Sequence, residues 1–292
     1  MLKNIDAGVL NITFDDAGPA DGWPVILLHG FPYDIQAYAD IIPGLASNGA
    51  RVITPYLRGF GPTRFLSTTT PRSGQQAAIA HDLLALMDAL EIKSAILVGY
   101  DWGGRAACIV AALWPERVRG LVSIGSYAIQ DIAAAMKPAA PEAEVPYWYQ
   151  YYFHSERGRN ALIQQRQSVC ELLWRQWSPT WNFTPQAFET SSQSWSNPDF
   201  VEVVLHSYRH RFGLVEGDIA YEATEAALAE LPSINVPTIA VDGGDDGLLL
   251  GGTRSHAPKF CSSYHYRRIE GAGHNLPQEA PLQLVQLILE LV

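Results

Sequence analysis

Ser94-Ala95-Ile96-Leu97-Val98-Gly99-Tyr100-Asp101-Trp102-Gly103-Gly104 is an apolar run that passes straight into glycines gathered around one aspartate. The run reads as a buried β-strand, and Arg105 to Trp114 beyond it has the spacing of a helix. A turn this abrupt puts its apex residue in a strained backbone conformation, so the residues two before it and two and three after it must be small. Gly99, Gly103 and Gly104 stand at those positions around Asp101. No serine has comparable surroundings, since Ser126 follows Gly125 but lacks the closing glycine. Taken alone, Asp101 would serve equally well as the cap of a helix starting near Gly103. The rest of the chain decides between the two.

Short apolar, β-rich runs alternate with helical segments. Val25 to Leu28, Val52 to Thr54, Ala95 to Val98 and Leu121 to Ile124 read as strands, and Gln75 to Leu90 reads as a helix. Such alternation implies an α/β protein with a mostly parallel sheet covered on both faces and functional loops at the carboxyl ends of the strands. After Gly125 the strand rhythm stops, and it resumes at Val236 to Val241 and at Tyr264 to Ile269. The interval reads as a helical insertion, entered through Pro138, Pro141 and Pro146 and dense in rings: Tyr147, Trp148, Tyr149, Tyr151, Tyr152, Trp174, Trp177, Trp181 and Trp195. Most of these rings are expected to hold the insertion to the core, and some to line an apolar pocket beneath it.

With 292 residues, 48% of them hydrophobic, the chain can bury a large core and carry an insertion. A formal net charge of −10 with scattered cations argues against nucleic acid as a partner. No stretch approaches the roughly 18 apolar residues of a membrane span, and Met1 to Asp6 lacks the apolar region of a leader, so the protein reads as soluble and cytoplasmic. Cys108, Cys170 and Cys261 are too few, too dispersed and odd in number for a disulfide framework. His206 and His210 stand four apart but have no third ligand, so no metal site is expected.

An apex carboxylate is already ionised and can attack saturated carbon, forming an ester with the enzyme. The expected electrophile is an epoxide or an alkyl halide. The ester must then be hydrolysed by water activated by a histidine that an acid orients. His274 in Gly271-Ala272-Gly273-His274-Asn275, just after the last strand and before a helix at Glu279 to Glu290, is the strongest base among eight histidines. The acid belongs after the strand at Val236, where Asp242, Asp245 and Asp246 all occur and the residues alone do not choose among them. His29-Gly30-Phe31-Pro32 follows the strand ending at Leu28, and the backbone N–H groups of Phe31 and Trp102 together suit an oxyanion.

The elbow, the H-G-F-P loop and the G-A-G-H loop together resemble the α/β-hydrolase superfamily over nearly the whole chain. The aspartate at the apex is similar to its epoxide hydrolase and haloalkane dehalogenase branches. The epoxide hydrolase likeness is the stronger, although histidine is usual there where Tyr100 stands. The resemblance implies an α/β-hydrolase core over residues 1–129 and 233–292 with a helical cap over 130–232, working without cofactor. It implies Asp246 as the acid, with Asp245 as the alternative. It also implies two cap tyrosines that protonate the epoxide oxygen: Tyr149, with Tyr152 as the alternative, and Tyr208. His29, Pro32, Trp102 and Tyr152 are then expected around a small apolar epoxide or halogenated substrate, with homodimerisation left open.

The competing expectation is haloalkane or haloacid cleavage by the same Asp, His and Asp. Trp102 offers one indole N–H to a halide, but Phe31 stands where many dehalogenases have a donating asparagine. Arg105, four after Asp101, resembles the carboxylate-binding arginine of fluoroacetate dehalogenases, in which the arginine directly follows the nucleophile. A third expectation is a ligand receptor on the same fold that has lost catalysis.

Overall fold

Strands that are apolar at every position require cover on both faces, and the computed structural model, which describes residues 2–292, provides it. Its strands are β1 (Leu2–Ala7), β2 (Leu10–Ala17), β3 (Trp23–Leu28), β4 (Ala50–Pro55), β5 (Arg64–Phe65), β6 (Ala95–Tyr100), β7 (Val118–Ile124), β8 (Thr238–Gly243) and β9 (Tyr264–Ile269). They form one sheet in the order β1-β2-β4-β3-β6-β7-β8-β9, with β5 added to β2. From β4 to β9 every pairing is parallel, and β1, β2 and β5 are antiparallel additions at one edge. All six residues of β6 are buried, as its position in the middle of the sheet demands.

The helix Asp101–Leu113 packs on β3, β6 and β7 and against the helix Gln76–Ala89. Ile42–Ser47 packs on β4 and meets Pro281–Leu289, where Gly44 leaves room for Val285. The expected helix Glu279 to Glu290 is in fact two, Leu276–Glu279 and Pro281–Leu289. Ala280 precedes a proline and is pushed out of helical geometry, to φ −140°.

Between β7 and β8 the chain is helical: Pro141–Glu144, Trp148–His154, Glu156–Gln164, Arg166–Trp177, Pro185–Ser192, Phe200–His210 and Glu222–Ala229. This segment sits on the carboxyl ends of the strands and is tied there by polar bonds. Trp174 Nε1 donates to the Pro32 carbonyl at 3.0 Å, Ser191 Oγ donates to Asp34 at 2.9 Å, and Asn197 Nδ2 donates to the Thr63 carbonyl at 2.7 Å. Trp174, Trp177 and Trp195 are fully buried where it meets the core.

Candidate active site

Asp101 stands at the joint between β6 and its helix with φ at +50°, a left-handed conformation that costs a non-glycine residue on the order of 1–3 kcal/mol. Sterics hold it there. A Cβ on Gly99 would lie 2.5 Å from the Gly103 backbone, and one on Gly103 would lie 2.1 Å from the Leu28 carbonyl oxygen. Strand, helix and the β3 loop are therefore pressed together more closely than any side chain allows. The β3 loop reaches the apex as well, because the Phe31 amide donates to Asp101 Oδ1 at 2.7 Å. The Trp102 amide follows in the first helical turn, where N–H groups lack helical partners.

His274 lies beside this carboxylate, with Nε2 4.0 Å from Asp101 Oδ2 and without a hydrogen-bond partner. Its Nδ1 meets Asp246 Oδ2 at 2.9 Å. Asp246 is held in turn by the amides of Leu248 and Leu249, which donate to its Oδ1 at 2.7 and 2.9 Å. The Asp242 carboxylate of the same turn is engaged elsewhere. Asp242 accepts from the Thr253 amide and hydroxyl, both at 2.6 Å, and from the Tyr266 hydroxyl, while the Asp245 amide is bonded to the Ala272 carbonyl. Burial opposes protonation of His274, but the charge and hydrogen bond of Asp246, together with Asp101 and Glu279, outweigh it and raise the imidazole pKa. Burial likewise opposes ionisation of Asp246, and His274 with the two amides holds its pKa below the usual value.

The His274 loop carries a latch that local sequence patterns do not reveal. Ser178 Oγ donates to Glu279 Oε1 at 2.6 Å and accepts from the Asn275 amide, and the Gly273 amide donates to Glu279 Oε2 at 2.7 Å. The His274 amide itself donates to the Trp177 carbonyl. Ser178 and Glu279 are 101 residues apart, so only the tertiary fold brings them together.

Across from Asp101 the helical segment presents Tyr149 and Tyr208, both fully buried, their rings perpendicular and 5.3 Å apart. Phe31 lies against both, and Trp177 bridges Tyr149 at 5.0 Å and His274 at 5.3 Å. Tyr149 Oη accepts from Gln150 Nε2 at 3.0 Å, whereas the Tyr208 hydroxyl has no partner. Burial, reinforced by the Asp101 charge, raises both phenol pKa values, so both are protonated donors at neutral pH. Two indole N–H groups in the same cluster, Trp102 Nε1 and Trp177 Nε1, are also without partners.

Other expected residues are placed differently. His29 turns to the backbone, with Nδ1 3.0 Å from the Gly30 carbonyl and Nε2 accepting from the Leu57 amide, and burial pushes its pKa down to about 4. It is a neutral brace between the ends of β3 and β4. Pro32, joined to Phe31 by a cis peptide, offers its carbonyl to Trp174. Tyr152 is half-buried against Trp148 and Phe153 and is not among the rings around Tyr208. His206 and His210 stack on each other, and the His206 ring nitrogens face the Gly74 amide and the Glu216 carbonyl. A cavity of about 700 Å³ opens elsewhere, between Gln75, Gln76, His210 and Glu225, and its walls include none of Asp101, His274, Tyr149 or Tyr208.

The chain matches the α/β-hydrolase fold family over residues 24–281. The solved structure of a Klebsiella pneumoniae protein, described as a candidate epoxide hydrolase, superimposes with a TM-score of 0.98 at 47% identity, covering 99% of this chain and 96% of that one. Epoxide hydrolase A of Mycobacterium tuberculosis is 24% identical over 99% of this chain and 96% of its own. A haloalkane dehalogenase of Mycobacterium marinum is 36% identical over 121 residues, which cover 40% of this chain and 39% of that protein.

Proposed function

The chain belongs to the α/β-hydrolase family, and from that premise we propose that it is an epoxide hydrolase that forms and then hydrolyses an ester on Asp101. In the first half, an Asp101 carboxylate oxygen attacks an epoxide carbon. The C–O bond breaks, its electron pair moves onto the oxygen, and Tyr208, aided by Tyr149, gives that oxygen a proton. In the second half, His274 Nε2 takes a proton from water and the hydroxide adds to the ester carbonyl carbon. The amides of Phe31 and Trp102 hold the oxyanion, and Asp246 supports the imidazolium. Collapse expels the second diol oxygen as an alkoxide, and the protons held by the new Asp101 carboxylic acid and the His274 imidazolium pass to that alkoxide and to the tyrosinate, which releases the vicinal diol and restores carboxylate, imidazole and phenol.

The observation that carries this reading is the pair of buried, protonated phenols opposite the strained carboxylate, one of them with its hydroxyl unpartnered. An alkoxide leaves poorly unless a proton reaches it, and a halide needs no proton. In the same reading residues 130–232 are a cap over the site. The three cysteines are free, which supports a reducing, cytoplasmic setting. The test is turnover of styrene oxide to phenylethanediol, which is expected, against bromide release from bromobutane, which is not.

One observation favours haloalkane cleavage as the second reading. Trp102 and Trp177 supply two unpartnered indole N–H groups beside Asp101 and His274, a pair of donors suited to a departing halide. Bromide release without diol formation would establish that reading in place of the first.

A further inference from the structure

A phenol that protonates an epoxide oxygen is left as a phenolate, and Tyr149 and Tyr208 bear that charge in a fully buried cluster of rings. A buried anion is costly unless an opposite charge or a hydrogen-bond donor meets it. Burial weakens both phenols as acids, and so do the Asp101 charge and a neighbouring tyrosine, Tyr147 beside Tyr149 and Tyr149 beside Tyr208. Arg211 acts on both in the opposite direction, joined at Tyr149 by the Gln150 amide and at Tyr208 by Arg105.

One guanidinium reaches the two phenols by different routes. It stacks 4.8 Å over the Tyr208 ring, and its Nη1 donates to Gln150 Oε1 at 3.2 Å while Gln150 Nε2 donates to Tyr149 Oη at 3.0 Å. An amide polarised at its oxygen by a cation is a stronger donor at its nitrogen. The charge of Arg211 is also left undivided. Three arginines that meet the helix Phe200–His210 pair with carboxylates, Arg72 with Asp199, Arg159 with Glu202 and Arg209 with Glu156. Arg211, at the C-terminal end of that helix, makes no ion pair among the described residues. With its oxygen turned towards the guanidinium, the Gln130 amide accepts from Arg211 Nη2 at 3.1 Å. Neutral carboxamides thus hold the cation in place without cancelling it.

We propose that Arg211 is a positioning residue for the proton transfer, its charge offsetting the one that Tyr208 or Tyr149 acquires as the epoxide opens. The inference rests on the epoxide hydrolase reading and adds a residue that the reading does not use. As an Asp101 oxygen bonds to carbon and the epoxide C–O bond breaks, the phenol O–H bond breaks too. Its proton goes to the departing oxygen and its electron pair stays on the phenol oxygen. The negative charge thereby passes from Asp101 to the epoxide oxygen and on to a phenolate facing Arg211, and the phenolate regains its proton in the second half.

Two readouts test it, one of them without turnover. A ring-fluorinated tyrosine in place of Tyr208 ionises at a lower pH than tyrosine, and fluorine NMR follows its titration. Arg211→Met is expected to raise that pKa by about one pH unit or more, the effect of removing an adjacent opposite charge, and Arg211→Lys to restore part of the change. In single turnovers, Arg211→Met should slow ester formation from propylene oxide by roughly tenfold and from its trifluoromethyl analogue by a smaller factor, because fluorine makes the departing oxygen less dependent on a proton. Thermal melts check that each variant is folded. If Arg211→Met fails to fold, Gln150→Met with the fluorinated tyrosine at position 149 decides, and that pKa should rise as well. An unmoved titration, or equal slowing of the two epoxides, overturns the inference. A raised pKa in the variant, with no ester formed from either epoxide by the wild type, keeps the hold of Arg211 on the phenols and removes the hydrolase. Ester formation by the wild type with an unmoved titration keeps the hydrolase and removes the role of Arg211.

Discussion

The floor and the ceiling of this site are built by different physics. On the floor, Asp101, Asp246 and His274 rest on strand ends and are aimed by backbone amides: Phe31 on Asp101, Leu248 and Leu249 on Asp246. On the ceiling, Tyr149, Tyr208 and Trp177 are positioned by ring-on-ring packing, and the Tyr208 hydroxyl and the Trp177 indole N–H are left without partners. The floor is thus preorganised for charge before any ligand enters, and the ceiling holds donors in reserve for one. Changes to the floor should act all or none, and changes to the ceiling by degrees.

Replacing Asp101 with Asn is the hardest test of the floor. Asparagine tolerates the left-handed backbone and keeps the shape, but its amide is a poor nucleophile. Steady turnover should fall by roughly 10⁴-fold or more, the scale on which nucleophile deletions act, while the circular dichroism melt stays close to wild type. Residual activity must be checked by mass for deamidation back to Asp.

Tyr208→Phe probes the ceiling. Tyr149 remains as a donor, so epoxide opening should slow by only about 10²-fold, the lower end of general acid catalysis, and the double Phe variant should lose more. Stopped-flow measurement of ester formation isolates that half-reaction. A Tyr208→Phe loss as deep as that of Asp101→Asn would erase the distinction between the two regions.

Glu279→Gln tests the latch at a subtler level. His274 must be neutral to act as a base, so activity falls as pH drops through its raised pKa. Glu279 is one of the charges that raise it, and removing that charge lowers the pKa and moves the acid limb of the profile to lower pH. A displaced limb with a nearly unchanged plateau is the expected result of a pH series, and an unmoved limb would reduce Glu279 to a purely structural tie.

Legibility in the sequence follows the same division. The strands buried on both faces, β3, β4, β6, β7 and β8, are written as apolar runs and could be read directly. The β1–β2 hairpin and β5 could not, because Lys3, Asn4 and Asp6 in an exposed edge strand leave no apolar pattern. Asp101 and His274 were legible because glycines around them report backbone crowding. Among Asp242, Asp245 and Asp246 the residues alone were silent, since which carboxylate meets His274 depends on how the turn is tied to Thr253, Leu248 and Leu249. The Ser178–Glu279 latch and the Arg211–Gln150–Tyr149 chain join distant segments and leave no periodic trace.

The central claim is that Asp101 carries the substrate as an ester that His274 removes, and the most direct measurement is the intact mass of His274→Gln after mixing with styrene oxide. The account predicts a mass gain equal to the whole epoxide, mapping by peptide digestion to Asp101. An unmodified protein, or an adduct on another residue, would contradict it.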